Sequence, residues 1–259
     1  MESFLTTFVT DNIAIYMMVF ARIGTAMMIM PGIGDSFVSA RVRLLFAMAF
    51  SVVVATPVAS LIPSIEVGSA YFLWVMMREV FIGLFIGTVM RIFMTAVDTG
   101  GMLISMQTGL GNAMVFNPQM AGQGSIIGAF LSVAGAVLLF ATDMHHILIY
   151  ALIESYQTFP TAGEELAMGG IVQIIAKAVS ESFAIGFYMS VPFIMVALLL
   201  YIAMGVLGRL MPQIQVFILA LPVQILLGFL TLFVVGSTVM LYWLTRYDDA
   251  IRVFMQEIN

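Results

Sequence analysis

The chain has no cysteine and few charges: Asp, Glu, Lys and Arg make up 9% of its 259 residues, where about a quarter is ordinary for a soluble domain. The first absence excludes disulfides and thiol chemistry. The second, with 62% hydrophobic residues and a mean hydropathy of +1.12, excludes an ordinary soluble fold and points to an integral membrane protein. No run of Lys or Arg occurs and the net charge is −5, so nucleic acid is not an expected partner. The absence of a P-loop leaves the chain without an ATPase of its own. A basic n-region is lacking too: Glu2 and Asp11 precede the first arginine, Arg22, so the first apolar segment is expected to be retained.

What is present is apolar length. A helix needs about 20 residues to cross a hydrocarbon core of roughly 30 Å. Ile13–Met30, Leu44–Ile62, Tyr71–Met106, Ile126–Thr142, Gly170–Ser190, Pro192–Leu207 and Val216–Thr245 are the candidates, and the expectation is an all-α membrane protein with six to seven long hydrophobic helices. A shorter helix, Met144–Gln157, is expected to take Asp143 as its N-cap and to end at Phe159-Pro160. The tail from Tyr247 is charged enough to leave the membrane. Methionine is abundant, with 23 residues, and its unbranched, polarizable side chain suits irregular packing.

The rare charges stand inside these segments. Arg22 lies mid-span, where insertion costs at least about 2.5 kcal/mol, so it should face protein or water and have an acidic partner. Arg78, Glu79, Arg91 and Asp98 all fall within Tyr71–Met106. Arg91 and Asp98 come near one helical face and are candidates for pairing across a subunit interface. Lys177 and Glu181 are spaced to pair on one turn. Small residues mark packing seams: Gly83 and Gly87 in one segment, and Ala178, Ser182, Gly186 and Ser190 in another.

Arg41 and Arg43 put the connection Pro31–Arg43 in the cytoplasm under the positive-inside rule. Placing the Arg209 turn there as well leaves Arg246 and Arg252 outside. At least one segment is therefore not a plain lipid-facing span.

The interval Gln107–Gly124, QTGLGNAMVFNPQMAGQG, breaks the pattern. Gly109, Gly111, Gly122 and Asn117-Pro118 oppose a continuous helix. It nevertheless has no charged residue, and it keeps Leu110, Met114, Phe116 and Met120 among polar neighbours such as Asn112. Lipid cannot satisfy free backbone groups, so irregular backbone at membrane depth must be buried in protein or line a cavity. The interval reads as a pore element. Its neutrality would not trap a charged substrate, and apolar contacts could close a pore at rest while glycines let the segment move.

Catalysis finds little support. His145 and His146 are adjacent, so on a helix their side chains diverge by about 100°, a poor geometry for one metal ion, and no H-x3-H or E-x2-H pattern accompanies them. A packing or capping role is preferred to a metal site or a proton relay. A serine protease would use Ser125, but no GxSxG elbow is present. A stand-alone small-molecule transporter or channel would read Arg22, Arg78, Arg91 and Asp98 as charges beside a broken helix, although no internal repeat supports it. A purely structural anchor is the third class.

Three stretches resemble a known family, FliR and its counterparts in virulence type III secretion. Gly208–Gly228, GRLMPQIQVFILALPVQILLG, is similar to the family's pattern at Gly208, Arg209, Pro212, Gln213, Gln215, Pro222, Gln224 and Gly228. Asp143–Pro160, DMHHILIYALIESYQTFP, resembles its His-His segment, and Arg22, Pro31-Gly32 and Arg41/Arg43 also fit. The resemblance covers essentially the whole chain. It implies a subunit of the flagellar protein export gate in the bacterial inner membrane, not an enzyme and without cofactor or metal, raised toward the periplasm. It further implies FliP and FliQ as gate partners, FlhB and FlhA nearby, and unfolded flagellar proteins as substrates. By the same resemblance residues 1–190 form a FliP-like part, residues 191–259 a FliQ-like helical hairpin with its turn at Arg209–Gln215, and residues 107–124 a plug inside the channel.

Overall fold

In a computed structural model the chain is described at residues 2–63, 65–111, 125–161, 168–211 and 216–258, and there it is helical, without a strand among the described residues. The helices are α1 (Glu2–Ile29), α2 (Ala40–Val58), α3 (Ala70–Gln107), α4 (Ile126–Ala141), α5 (Met144–Thr158), α6 (Met168–Leu210) and α7 (Val216–Ile258). A short 3-10 turn, Ala59–Leu61, follows α2 just after Pro57. Five stretches are long and apolar enough to cross a membrane, and α4 and α5 make a sixth if their pair, bent by 75°, is taken as one span.

Helix lengths differ from the expected segments in two places. Gly170–Ser190 and Pro192–Leu207 are one helix, α6, with Pro192 in its interior. Proline removes one backbone bond, and such a break is tolerated in apolar helices where neighbouring groups satisfy the freed carbonyl. The charged tail also stays helical, because α7 runs through Pro222 to Ile258. Trp243, Tyr247, Ile251 and Phe254 are buried along one stripe of α7 at helical spacing, while Arg246 and Asp249 remain exposed.

The chain divides into two compact units that do not follow sequence order: Met1–Ile92 with Leu139–Ala178 and Ala250–Asn259, and Phe93–Leu138 with Val179–Asp249. In the first, α1 packs on α2, and Gly83 lets α3 approach α1. A Cβ at Gly83 would collide with Thr25 Oγ1 and the Arg22 carbonyl, and one at Gly87 would meet the Ala26 carbonyl at 2.8 Å. The close approach expected of these glycines is thus made within the chain. In the second unit, Gly186 approaches α3, where a Cβ would lie 2.7 Å from the Ala96 carbonyl. Ala178, Ser182 and Ser190 of the same stripe are buried.

Burial is uneven among the long helices. An apolar 18-residue stretch within Ala70–Gln107 is 61% buried within the chain, against 11% for one within Gly169–Leu210 and 17% for one within Ala220–Gln256. The last two present apolar side chains such as Phe183, Leu199, Leu226 and Phe233 outward, surface that lipid or other chains must cover.

Candidate functional site

The first unit is centred on Arg22, which is fully buried, as is Glu79. The guanidinium has five N–H donors, and each has an acceptor. Nε donates to Glu79 Oε2 at 2.6 Å and Nη2 to Glu79 Oε1 at 2.9 Å. Nη2 also reaches the Phe159 carbonyl at 2.7 Å, and Nη1 reaches the Ser155 carbonyl at 2.9 Å and the Ser155 hydroxyl at 3.3 Å. The Tyr156 ring lies 4.0 Å from the guanidinium carbon, within cation–π range.

This explains a cation in the middle of an apolar helix. Ser155 lies in the last turn of α5 and Phe159 is its C-cap, where the helix dipole is negative; the Ser155 carbonyl already takes the Phe159 N–H at 2.9 Å and accepts Arg22 as a second donor, while the Phe159 carbonyl lies beyond the helix's own hydrogen bonding. Arg22 caps that end, and Glu79 neutralises it. It follows that α5 ends beside the C-terminal half of α1, sheltered by protein.

The other buried cation, Arg78, lies 5.8 Å from the Trp74 ring. Arg91 finds its acid in the same chain: its Nη1 pairs with Asp35 Oδ1. Asp35 sits in the turn after α1, where its Oδ2 accepts the Gly32 N–H at 2.8 Å, and Arg43 Nη1 donates to the Gly34 carbonyl at 2.9 Å. Asp98 is exposed on this chain, as are Lys177 and Arg209, and Glu181 is half-buried.

Asp143 departs from the capping expectation. It has a left-handed φ of 59° and makes no side-chain cap bond to α5. A carboxylate aimed along a left-handed residue is not aligned with the helix's free N–H groups, and it lies instead 3.7 Å from His146 Nδ1. Nor do the two histidines diverge as adjacent helical residues should: their ring centroids are 4.1 Å apart, and ligand atoms of Asp143, His145 and His146 all lie within 4.8 Å of one another. Ligands of a tetrahedral zinc ion, at roughly 2.0–2.1 Å from it, stand closer together, so these side chains would have to rotate to hold one.

The second unit contains the described ends of the uncharged interval. α3 stops at Gln107, and Gly109 takes a positive φ of 78° that suits a helix terminus. Gly111 N–H returns to the Ser105 carbonyl at 2.9 Å. Gln224 of α7, 6% exposed, donates from Nε2 to the Gln107 carbonyl at 2.8 Å and to Tyr201 Oη at 3.0 Å. At the far end, Ser125 Oγ donates to the Gly101 carbonyl and accepts the Gly128 N–H, both at 3.0 Å. Thr108 and Ser125 are buried.

Of the expected plug residues, Gly109, Leu110 and Gly111 are described; Asn112, Met114, Phe116, Asn117, Pro118, Met120 and Gly122 lie outside the described residues, as do Pro212, Gln213 and Gln215 of the hairpin turn. Sequence reasoning singled out Arg22 and Glu79 without pairing them, and it missed Asp35, Ser155, Tyr156 and Tyr201. Asp35 had a signal, being the only acid between Asp11 and Glu66. Ser155 and Phe159 had none, because they contribute carbonyl groups that any residue carries.

Comparison with known proteins places these features in context. The sequence profile of "Bacterial export proteins, family 1" matches residues 13–250. The flagellar biosynthetic protein FliR of Caulobacter vibrioides is 36% identical over 98% of this chain and 100% of its own length. FliR of Bacillus subtilis is 29% identical over 89% of each chain, and the Yop proteins translocation protein T of Yersinia pestis is 26% identical over 62% of each.

Proposed function

The chain belongs to family 1 of the bacterial export proteins, and from that premise we propose that it is a channel-forming subunit of the flagellar export gate, built with FliP- and FliQ-like chains. Export through the type III apparatus is the activity of the family, and the chain is a membrane-embedded export component. In the proposed gate, residues 1–190 pack like a FliP protomer and residues 191–259 like FliQ. FlhA- and FlhB-like chains adjoin it, unfolded flagellar proteins pass through it, and residues 107–124 close it at rest. The assembly lies in the inner membrane and is raised toward the periplasm.

The observation that carries this reading is the shelter at both ends of the uncharged interval. Thr108 and Ser125 are buried in protein and their backbone neighbours are hydrogen-bonded by side chains. An interval whose glycines and proline oppose a helix, and whose described ends lie inside protein, fits a pore lining and not a lipid-exposed loop. Helix length adds support: the 42 residues of Gly169–Leu210 span about 63 Å at 1.5 Å per residue, twice the hydrocarbon thickness. Such a helix, little buried within its own chain, fits a place among other subunits.

Copurification tests the assembly. After mild detergent extraction, the tagged chain should bring FliP- and FliQ-like chains with it. Recovery of a homo-oligomer alone would favour a stand-alone transporter or channel and overturn the gate reading. Deleting Gly109–Gly122 should raise leakage of ions or small solutes through cells expressing the full gate, and unchanged leakage would overturn the plug. A purely structural anchor predicts that such changes leave export rate untouched.

A further inference from the structure

The turn that opens α5 gathers metal-ligating groups that the export reading leaves without a use. Metal binding is disfavoured in the sequence on two grounds: adjacent histidines diverge on a helix, and Asp143 is taken up as a cap. The structure removes both. Asp143 makes no cap bond, and the rings of His145 and His146 lie 4.1 Å apart, inclined by 35°. One carboxylate oxygen of Asp143 and one ring nitrogen from each histidine lie within 4.8 Å of one another.

The backbone holds these groups together. Asp143 has a φ of 59°, a left-handed conformation that Asp, Asn and His enter more readily than other side chains do. Its N–H donates to the Phe140 carbonyl at 3.3 Å, and its own carbonyl accepts the His146 N–H at 3.0 Å. The His145 ring is half-buried against Phe140, with centroids 5.1 Å apart. Its Nδ1 is buried and has no hydrogen-bond partner, a cost that coordination through this nitrogen would remove. Asp143 and His146 are the movable members, with side chains 78% and 69% exposed. Atoms no more than 4.8 Å apart can meet one ion at roughly 2.0–2.1 Å after movements of about 1 Å each.

We propose that Asp143, His145 and His146 bind a zinc ion, with water completing its coordination. Two imidazoles and one carboxylate are the donor set of open zinc sites. The two nitrogens select against magnesium and calcium, which take oxygen ligands. A cation at the start of a helix opposes the helix dipole, and the Asp143 carboxylate supplies the charge that offsets this. The bound ion joins the residue before α5 to the first turn of α5. These are the only two histidines of the chain, and it has no cysteine, so no other imidazole or thiol competes for the metal. The site stands independently of the gate and plug readings.

The test uses the full chain in detergent, purified through a tag without histidine, and Zn²⁺ alone as the probe. Equilibrium dialysis should find about one ion per chain. Asp143→Asn keeps a residue type at ease in the left-handed conformation, and His146→Gln alters an exposed side chain. Each should weaken zinc binding at least about tenfold, the lower end of what losing even an outer-shell partner costs. His145→Gln should do the same; should that half-buried position fail to fold, the two exposed variants still decide. Zinc should also raise the unfolding midpoint of the wild-type chain, because an ion held by the folded state alone stabilises it. It should leave the midpoint of His146→Gln unmoved. Absence of saturable zinc binding overturns the site. Binding that Asp143→Asn and His146→Gln both retain overturns it as well, since the ion is then held elsewhere on the chain.

Discussion

The two units solve the same problem with opposite chemistry. Each must satisfy carbonyls at a helix end inside an apolar chain. In the first unit, a buried arginine does so at the end of α5, with all five donors used and a glutamate at 2.6 Å to balance the charge. In the second, a neutral glutamine does so at the end of α3 with two bonds. A buried ion pair cannot be opened cheaply, because each partner left alone is an uncompensated charge. A single amide contact can be broken at the cost of about one hydrogen bond. The difference separates a junction that must stay closed from one that can part.

The largest expected effect comes from attacking the charged junction. Arg22→Met or Glu79→Gln should lower stability by roughly 3–5 kcal/mol, read as a fall in the unfolding midpoint of the detergent-solubilised chain. Arg22→Lys keeps the charge but has three donors in place of five, so it should recover only part of the loss. The double variant Arg22→Met/Glu79→Leu should be less destabilised than the sum of the singles. It should not reach wild type, since the Phe159 carbonyl still loses its Arg22 donor, although the Ser155 carbonyl keeps the Phe159 N–H. Strict additivity would show that the pair is not coupled and would break the comparison.

Next in size is Gly83→Ala. The added methyl would run into Thr25 Oγ1 and the Arg22 carbonyl, and overpacking of this kind costs about 1–3 kcal/mol. Because α3 brings Glu79 to Arg22 through this approach, the loss should shrink when Gly83→Ala is made in the Arg22→Met/Glu79→Leu background. Equal losses in both backgrounds would mean that the glycine serves packing alone.

The ion pair at the surface of the same unit should matter less. Asp35→Asn removes the partner of Arg91, whose side chain is 37% exposed, and solvent screening holds such a contribution to at most about 1 kcal/mol. The N–H of Gly32 keeps an acceptor in the asparagine oxygen. Loss comparable to that of Arg22→Met would show that charge, and not burial, sets the contrast drawn above.

The fold was legible in the residues wherever apolar length or a misplaced charge carried it. Tyr71–Met106 lies one residue inside the observed α3 at each end, Ala70–Gln107, since nothing within it terminates a helix. The need of Arg22 for an acid followed from its depth, although which acid did not, since pairing is set by how α1, α3 and α5 are brought together. Pro192 misled because proline ends helices far more reliably in water than among apolar neighbours. Asp143 misled because a capping residue type says nothing of its own φ. The Gln224 clamp was illegible for a simpler reason: its partner is a backbone carbonyl more than a hundred positions away, and only the termination of α3 at Gln107 makes that carbonyl available.

The smallest global effect is expected at that clamp, and it sharpens the comparison most. Gln224→Leu deletes bonds to Gln107 and Tyr201 but places an apolar side chain in a largely apolar setting, so the lost hydrogen bonding is partly offset by burial. Net destabilisation should stay within about 1 kcal/mol, a small shift of the unfolding midpoint beside that of Arg22→Met. Tyr201→Phe should have a smaller effect still, since Gln224 keeps its bond to Gln107. A Gln224→Leu midpoint as low as that of Arg22→Met would mean that the neutral junction carries the unit's stability, and the distinction between a fixed centre and a separable one would fail. A near-native midpoint together with faster exchange at Thr108–Gly111 would establish that the second junction opens locally, on a free-energy scale that the first cannot reach without unfolding.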